Sequence, residues 1–245
     1  MAAEATADPR RREVRQGLIS RFLTTLAQGV KWLLLSLVFS ILTEWVGMAF
    51  WWPDQGLDHS RDMLADELGY LSGDLRATLL VSDTAAYAQA FADTAYHWLW
   101  QRTGLESAIA WLAATPPAHA STWQAGLHEG YTRVADFVVA AATITQVFAV
   151  RLAVLTLAMP AFALAILVGV LDGLVLRDLR RWGGGRESSF VYHWAKRSAL
   201  PLLVLSWVVY LALPFSLHPT FVILPFATLF ALSVAVTASS FKKYL

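Results

Sequence analysis

No cysteine occurs among the 245 residues. Disulfides, thiolate metal sites and a cysteine nucleophile are therefore excluded. Charge is also scarce: 15% of the residues are Asp, Glu, Lys or Arg, where a soluble globular domain carries about a quarter. Apolar residues fill the difference. The chain is 57% hydrophobic, with 11 tryptophans and 13 phenylalanines, and its mean hydropathy is +0.50. Such a composition belongs to a membrane protein. The formal net charge of +1 says little, because the charges are sorted along the chain.

Motifs that carry chemistry are missing too. The stretch "LRDLRRWGGGRESSFVYHWAKRS" (176–198) holds a run of glycines and six basic residues. A phosphate-binding P-loop needs four residues between its glycines, then Gly-Lys-Ser/Thr, after a strand. Neither the lysine nor the strand is present. No G-x-S-x-G elbow accompanies the six histidines, so no Ser/His/Asp triad is supported. His59 has no second histidine at ligand spacing. The expectation is a protein with no catalytic residue, no metal and no cofactor.

What is present is a set of apolar runs. A bilayer span needs about 20 predominantly apolar residues. "KWLLLSLVFSILTEWVGMAFWW" (31–52) qualifies and follows Arg10, Arg11, Arg12, Arg15 and Arg21. It ends in bulky aromatics and Pro53 rather than a small-residue cleavage site, so it reads as an uncleaved anchor. The region 137–176 is a long helix that contains the second span. Its 20 uncharged residues between Arg151 and Asp172 match one bilayer thickness. The third span is 199–217 and the fourth 220–240, separated by His218 and Pro219 alone. Pro160, Pro201, Pro214 and Pro225 should kink or end helices. Pro160 and Pro225 fall well inside spans.

Orientation follows from the Lys/Arg bias. Segment 1–30, the loop 177–198 and the tail 241–245 are basic and are expected on the cytoplasmic side. Segment 53–136 carries 4 Arg against 11 Asp and Glu and is expected in the periplasm. It contains no Asn-Gly or Asp-Gly turn and few Val/Ile runs, which predicts helices rather than a sheet. One helix is expected over 59–81 and another after Ser82 or Asp83. After the breaker "TPPAH" (115–119), a third should run from about Ser121 into the second span. So small a bundle should bury its apolar faces against the membrane or a partner. Asp54, Asp58, His59, Asp62, Asp66 and Glu67 form an acidic cluster that reads as a solvated helix start. The fold class is all-α: four transmembrane helices with a small helical extracytoplasmic domain between the first and second.

Two intramembrane charges stand out, since such residues are costly and pair with a partner. Glu44 lies about 20 Å above Lys31 at the helical rise. Arg151 lies toward the same outer leaflet, and a Glu44–Arg151 ion pair is expected. The second span also carries Ala161, Ala165, Gly169 and Gly173 at i+4 steps, and the fourth carries Ala227, Ala231 and Ala235. Small residues so spaced let helices approach closely, and these two spans run in the same direction.

Four stretches, "EWVGMAFWWPDQG", "HSRDMLADELGYLSGDL", "GVLDGLVLRDLRRWGGGRESSFVYHWAKR" and "SFKKYL", resemble the membrane-protein family encoded in integrating conjugative elements of proteobacteria. The resemblance runs from about Ile19 to Leu245. It implies an inner-membrane component of the conjugation (type IV secretion) apparatus, whose genes accompany that of the coupling ATPase. The family has no agreed activity, so no catalytic residue is carried over.

Two functions follow as expectations. In the first, the chain is a non-enzymatic assembly subunit. Its partners would be the coupling ATPase, other conjugation-apparatus membrane proteins and membrane lipids, with direct DNA contact left open. Docking would use Trp182, Phe190, Tyr192 and Trp194, flanked by Arg180, Arg181 and Arg186, because aromatics and arginine dominate interface energies. In the second, the chain is a small channel or transporter subunit acting as a homo-oligomer. That reading needs an inverted repeat and midplane polar residues. No repeat joins the halves, and the third and fourth spans hold no charge.

Overall fold

The computed structural model describes residues 18–73, 81–115, 121–183 and 189–240. Every regular element among them is helical: α1 (Leu18–Val46), α2 (Leu57–Gly73), α3 (Thr84–Tyr96), α4 (Leu105–Ala113), α5 (Thr122–Leu157), α6 (Met159–Trp182), α7 (Ser189–Ala212) and α8 (Pro219–Ser239). Single π-helical turns, Gly47–Trp51 and His97–Gln101, follow α1 and α3. Four segments are long and apolar enough to cross a membrane: Leu23–Trp51, Thr122–Trp182, Tyr192–Ala212 and Pro219–Ser239.

The chain divides into two compact units, residues 1–35 and 36–245. In the first, the described residues form the opening turns of α1. Their large apolar side chains, among them Leu23, Leu26, Val30 and Trp32, are exposed.

The second unit is built on α5, whose buried residues run from His128 to Leu157. Ser121 opens this helix with a capping box: Gln124 Oε1 accepts from the Ser121 N–H at 3.0 Å. Helices α2 and α3 form a hairpin on α5. Met63 packs with Ile144 and Val147, and Glu67 reaches Arg151, so α2 runs parallel to α5. Trp100, in the turn after α3, donates to Thr145, while Tyr87 hydrogen-bonds Thr156, so α3 runs antiparallel. The end of α2 and the start of α3 therefore lie near the α5–α6 junction. There Thr84 Oγ1 donates to the Leu71 carbonyl at 3.2 Å, and the Asp83 carboxylate caps α3 by accepting from the Ala86 N–H at 2.9 Å. The expected bundle over 53–136 thus buries its apolar face on α5. Burial and the nearby Glu106 carboxylate raise the Tyr96 hydroxyl above its ordinary pKa.

Three details differ from the sequence expectations. Pro201 and Pro225 lie inside α7 and α8 and end neither, whereas α5 ends at Leu157 and α6 opens at Met159, beside Pro160, as expected of a helix breaker. Helix α7 starts well before the expected third span at 199 and runs unbroken from Ser189 to Ala212. The turn joining α7 to α8 is longer than His218 and Pro219 alone: α7 ends at Ala212, and residues 213–218 lead to α8.

Helices α6, α7 and α8 pack together. Phe162 of α6 meets Ala227 and Phe230 of α8, with Ala199 and Leu203 of α7 against the same cluster. Ser233 Oγ donates to the Ala195 carbonyl at 2.7 Å and lies 3.0 Å from Ser198 Oγ. The outer faces carry exposed Leu167, Leu171, Val204, Phe221 and Leu232. An apolar surface of this extent marks a membrane or protein contact.

Candidate functional site

Helix α2 turns two faces in different directions. Asp58, Asp62 and Asp66 are exposed, while His59, Met63, Glu67 and Leu71, spaced by four, face the interior. The acidic cluster read as a solvated start is therefore split: Glu67 is 0% exposed. Its Oε1 accepts from Arg151 Nε at 2.8 Å and its Oε2 from the Tyr210 hydroxyl at 2.8 Å. The other two guanidinium nitrogens of Arg151 donate to the carbonyls of Leu213 and Phe215, at 2.5 Å and 2.8 Å. A planar fork with several fixed donors suits this task, where the single ammonium of lysine would not. Burying the pair costs desolvation, which only complete hydrogen bonding offsets. The result is a clamp: α2, α5, α7 and the turn into α8 all meet at one guanidinium.

The expected Glu44–Arg151 pair is not formed. Glu44 is buried, but its partner is His59, whose Nδ1 lies 3.1 Å from both carboxylate oxygens. The physical reason is the return of α2 between the two charges' helices. It offers each a nearer counterpart, His59 to Glu44 and Glu67 to Arg151. A cavity of about 10 Å³ lined by Ser40, Glu44, Met63 and Arg151 lies between them, about the size of one water.

The Glu44 arrangement depends on the turn that follows α1. The Trp52 ring stacks on His59 with centroids 4.1 Å apart and planes at 18°. It lies directly on Gly47, where any Cβ would come within 1.8 Å of the indole. Gly47 is needed for this close approach rather than for its backbone angles. Trp45 Nε1 donates to the Phe137 carbonyl at 2.8 Å, and Ser40 Oγ to the Leu211 carbonyl at 3.1 Å. These bonds fix α1 from Ser36 onward to α5 and α7.

The small-residue ladders lie at the α6–α8 contact. A Cβ on Gly169 would stand 2.5 Å from the Ala231 carbonyl oxygen, and one on Gly173 would stand 2.4 Å from that of Ala235. Residue numbers rise together, so the helices are parallel. Ala165 packs beside the Phe162–Ala227–Phe230 cluster, and Ala161 lines a cavity with Ala227.

At the far end of α6 and the start of α7 stand the basic and aromatic residues. Arg180 is half-buried, Arg181 is exposed and Trp182 is 92% exposed. Trp194 is 68% exposed. Tyr192 meets His193 edge to face at 5.3 Å, and Lys196 Nζ lies 5.8 Å from its ring centroid. Arg186 and the side chain of Phe190 lie outside the described residues. Among the described residues, no group of three His, Asp or Glu is placed to hold a metal ion.

Sequence reasoning missed Glu67, His59 as a partner, Tyr210, Trp52 and Gly47. The first two carried a usable signal in their four-residue spacing with Met63 and Leu71. Tyr210 carried none, because a tyrosine in an apolar run looks like any other core aromatic.

No curated protein and no solved structure matches the chain. A family profile described as "IncC plasmid conjugative DNA transfer protein DtrJ-like" matches residues 51–242, a range that holds the whole Glu67–Arg151–Tyr210 clamp, both small-residue ladders and the basic end. The chain belongs to the DtrJ-like family, associated with conjugative DNA transfer.

Proposed function

We propose that the chain is a non-enzymatic inner-membrane subunit of a conjugative DNA-transfer (type IV secretion) machine, and that it assembles with the coupling ATPase. Both termini and the α6–α7 connection face the cytoplasm. The acidic α2–α3 hairpin faces the periplasm. The sorting of Lys and Arg against Asp and Glu supports this orientation.

The observation that carries the docking part is the exposure of Trp182 and Trp194, 92% and 68%, on a basic end of two apolar helices. Exposed tryptophans flanked by arginine are the side chains that dominate protein interfaces once covered. The clamp around Arg151 has a different part in this reading. It holds the α7–α8 turn, and through it the α6–α8 bundle, in fixed register with the periplasmic hairpin.

The test replaces Trp182 and Trp194 together with alanine in donor cells. DNA transfer should fall at least about tenfold, the loss of about 1.4 kcal/mol of interface energy, while the amount of protein in the membrane fraction stays unchanged. Wild-type transfer frequency from the double variant would remove this end as the docking surface.

A further inference from the structure

Helices α6, α7 and α8 enclose a groove of about 330 Å³ at their basic end, lined by Val170, Leu174, Arg177, Lys196, Val234 and Thr237 among others. Its walls are almost wholly aliphatic, with two cations at the rim from different helices. Arg177 Nε is buried and has no hydrogen-bond partner. The nearest carboxylate oxygen, on Asp178, is 3.8 Å away, beyond hydrogen-bonding distance. One turn further along α6, Arg180 Nη2 is also buried without a partner. Buried guanidinium donors left unpaired are costly, and Arg177 stands in the lining of an apolar groove.

We propose that this groove is a binding site for an anionic phospholipid. One acyl chain lies along Val170, Leu174 and Val234. The phosphodiester sits between the Arg177 guanidinium and the Lys196 ammonium, which both line the groove. An apolar groove ending in two cations at the end of membrane-spanning helices has the amphiphilic pattern of such a lipid, and basic pockets between spans on the cytoplasmic side are known to bind acidic headgroups. A soluble anion would satisfy the cations and leave the aliphatic wall uncovered. A zwitterionic lipid would cover the wall but bring its own ammonium against the two cations. The site goes beyond the proposed docking role and does not depend on it: neither Trp182 nor Trp194 lines the groove.

The full chain, purified in a non-ionic detergent, is titrated with phosphatidylglycerol and with phosphatidylcholine and read by native mass spectrometry. Phosphatidylglycerol should bind at least about tenfold more tightly. The Arg177→Gln/Lys196→Gln pair should abolish that preference, while Arg177→Lys/Lys196→Arg restores most of it and Arg133→Gln, at an exposed pair with Glu129 on α5, leaves it intact. Thermal unfolding of each variant in the same detergent separates lost binding from lost fold. Equal binding of both lipids, or an undiminished preference in the Gln pair, overturns the site. Displacement of phosphatidylglycerol by millimolar inorganic phosphate also overturns it, because the anion alone would then be the ligand.

Discussion

Replacing Arg151 with alanine is expected to destabilise the protein by about 3–5 kcal/mol, the cost of leaving a buried carboxylate without its counter-ion. Three hydrogen bonds disappear at once, to Glu67, Leu213 and Phe215. Glu67, 0% exposed, keeps only the Tyr210 hydroxyl. A loss of that size is a large share of the about 5–15 kcal/mol that holds a domain folded. Thermal unfolding in detergent should show it directly, and protein recovered from the membrane should fall with it. Glu67→Gln should be nearly as harmful, since it strands the guanidinium instead. The Arg151→Met/Glu67→Leu pair should be milder than the sum of the two single changes, because removing both charges removes the unpaired one. Charge exchange between positions 44 and 151 should rescue nothing, because Glu44 is already engaged by His59 at 3.1 Å. Additive losses at 67 and 151 would mean that the clamp does not act as a unit.

The second large effect is expected at Gly173. A Cβ there would meet the Ala235 carbonyl oxygen at 2.4 Å, the Ala238 side chain at 2.7 Å and the Ala235 Cα at 3.0 Å. Two of these three are backbone atoms, which cannot rotate away. Gly173→Val therefore has to push α6 from α8. Overpacking typically costs about 1–3 kcal/mol, and here it also opens the bundle along neighbouring contacts, Gly169 against Ala231 included. Gly173→Ala should be milder but measurable. Gly69→Ala is the control, since nothing stands within 4 Å of its added Cβ. Protease resistance of the membrane-inserted protein should fall sharply for Gly173→Val and stay unchanged for the control.

The spans were legible in the sequence because about 20 apolar residues in a row match the thickness of a bilayer and exceed what a soluble core element requires. Buried charge was half legible. Glu44 and Arg151 were visible as costly residues within apolar runs, and each is indeed buried at 1% and 2% exposure. Their partners were hidden for a specific reason. His59 and Glu67 stand in an acidic stretch whose average is hydrophilic, and only the helical period separates them from exposed Asp58, Asp62 and Asp66. That stretch also had to be folded back along α5, a long-range event with no local mark. The Gly47–Trp52 contact is of the same kind. A glycine in an apolar helix is common, and its need becomes visible only when the indole is seen lying on it.

The two levels meet in one arrangement. A single arginine ties the α2–α3 hairpin to the turn of the α7–α8 pair, and α8 carries α6, whose far end presents Trp182. In the proposed assembly, the periplasmic side and the coupling-ATPase side are thus linked through packed helices rather than through a flexible connection.

Assembly with the coupling ATPase is tested by mild-detergent purification of the tagged protein from donor cells that carry the transfer system. Bound proteins are identified by mass spectrometry, with the wild type and the Trp182→Ala/Trp194→Ala variant side by side. The coupling ATPase should be recovered with the wild type and depleted with the variant. Isolation of the wild-type chain as a homo-oligomer without the ATPase would contradict that assembly and favour a channel subunit.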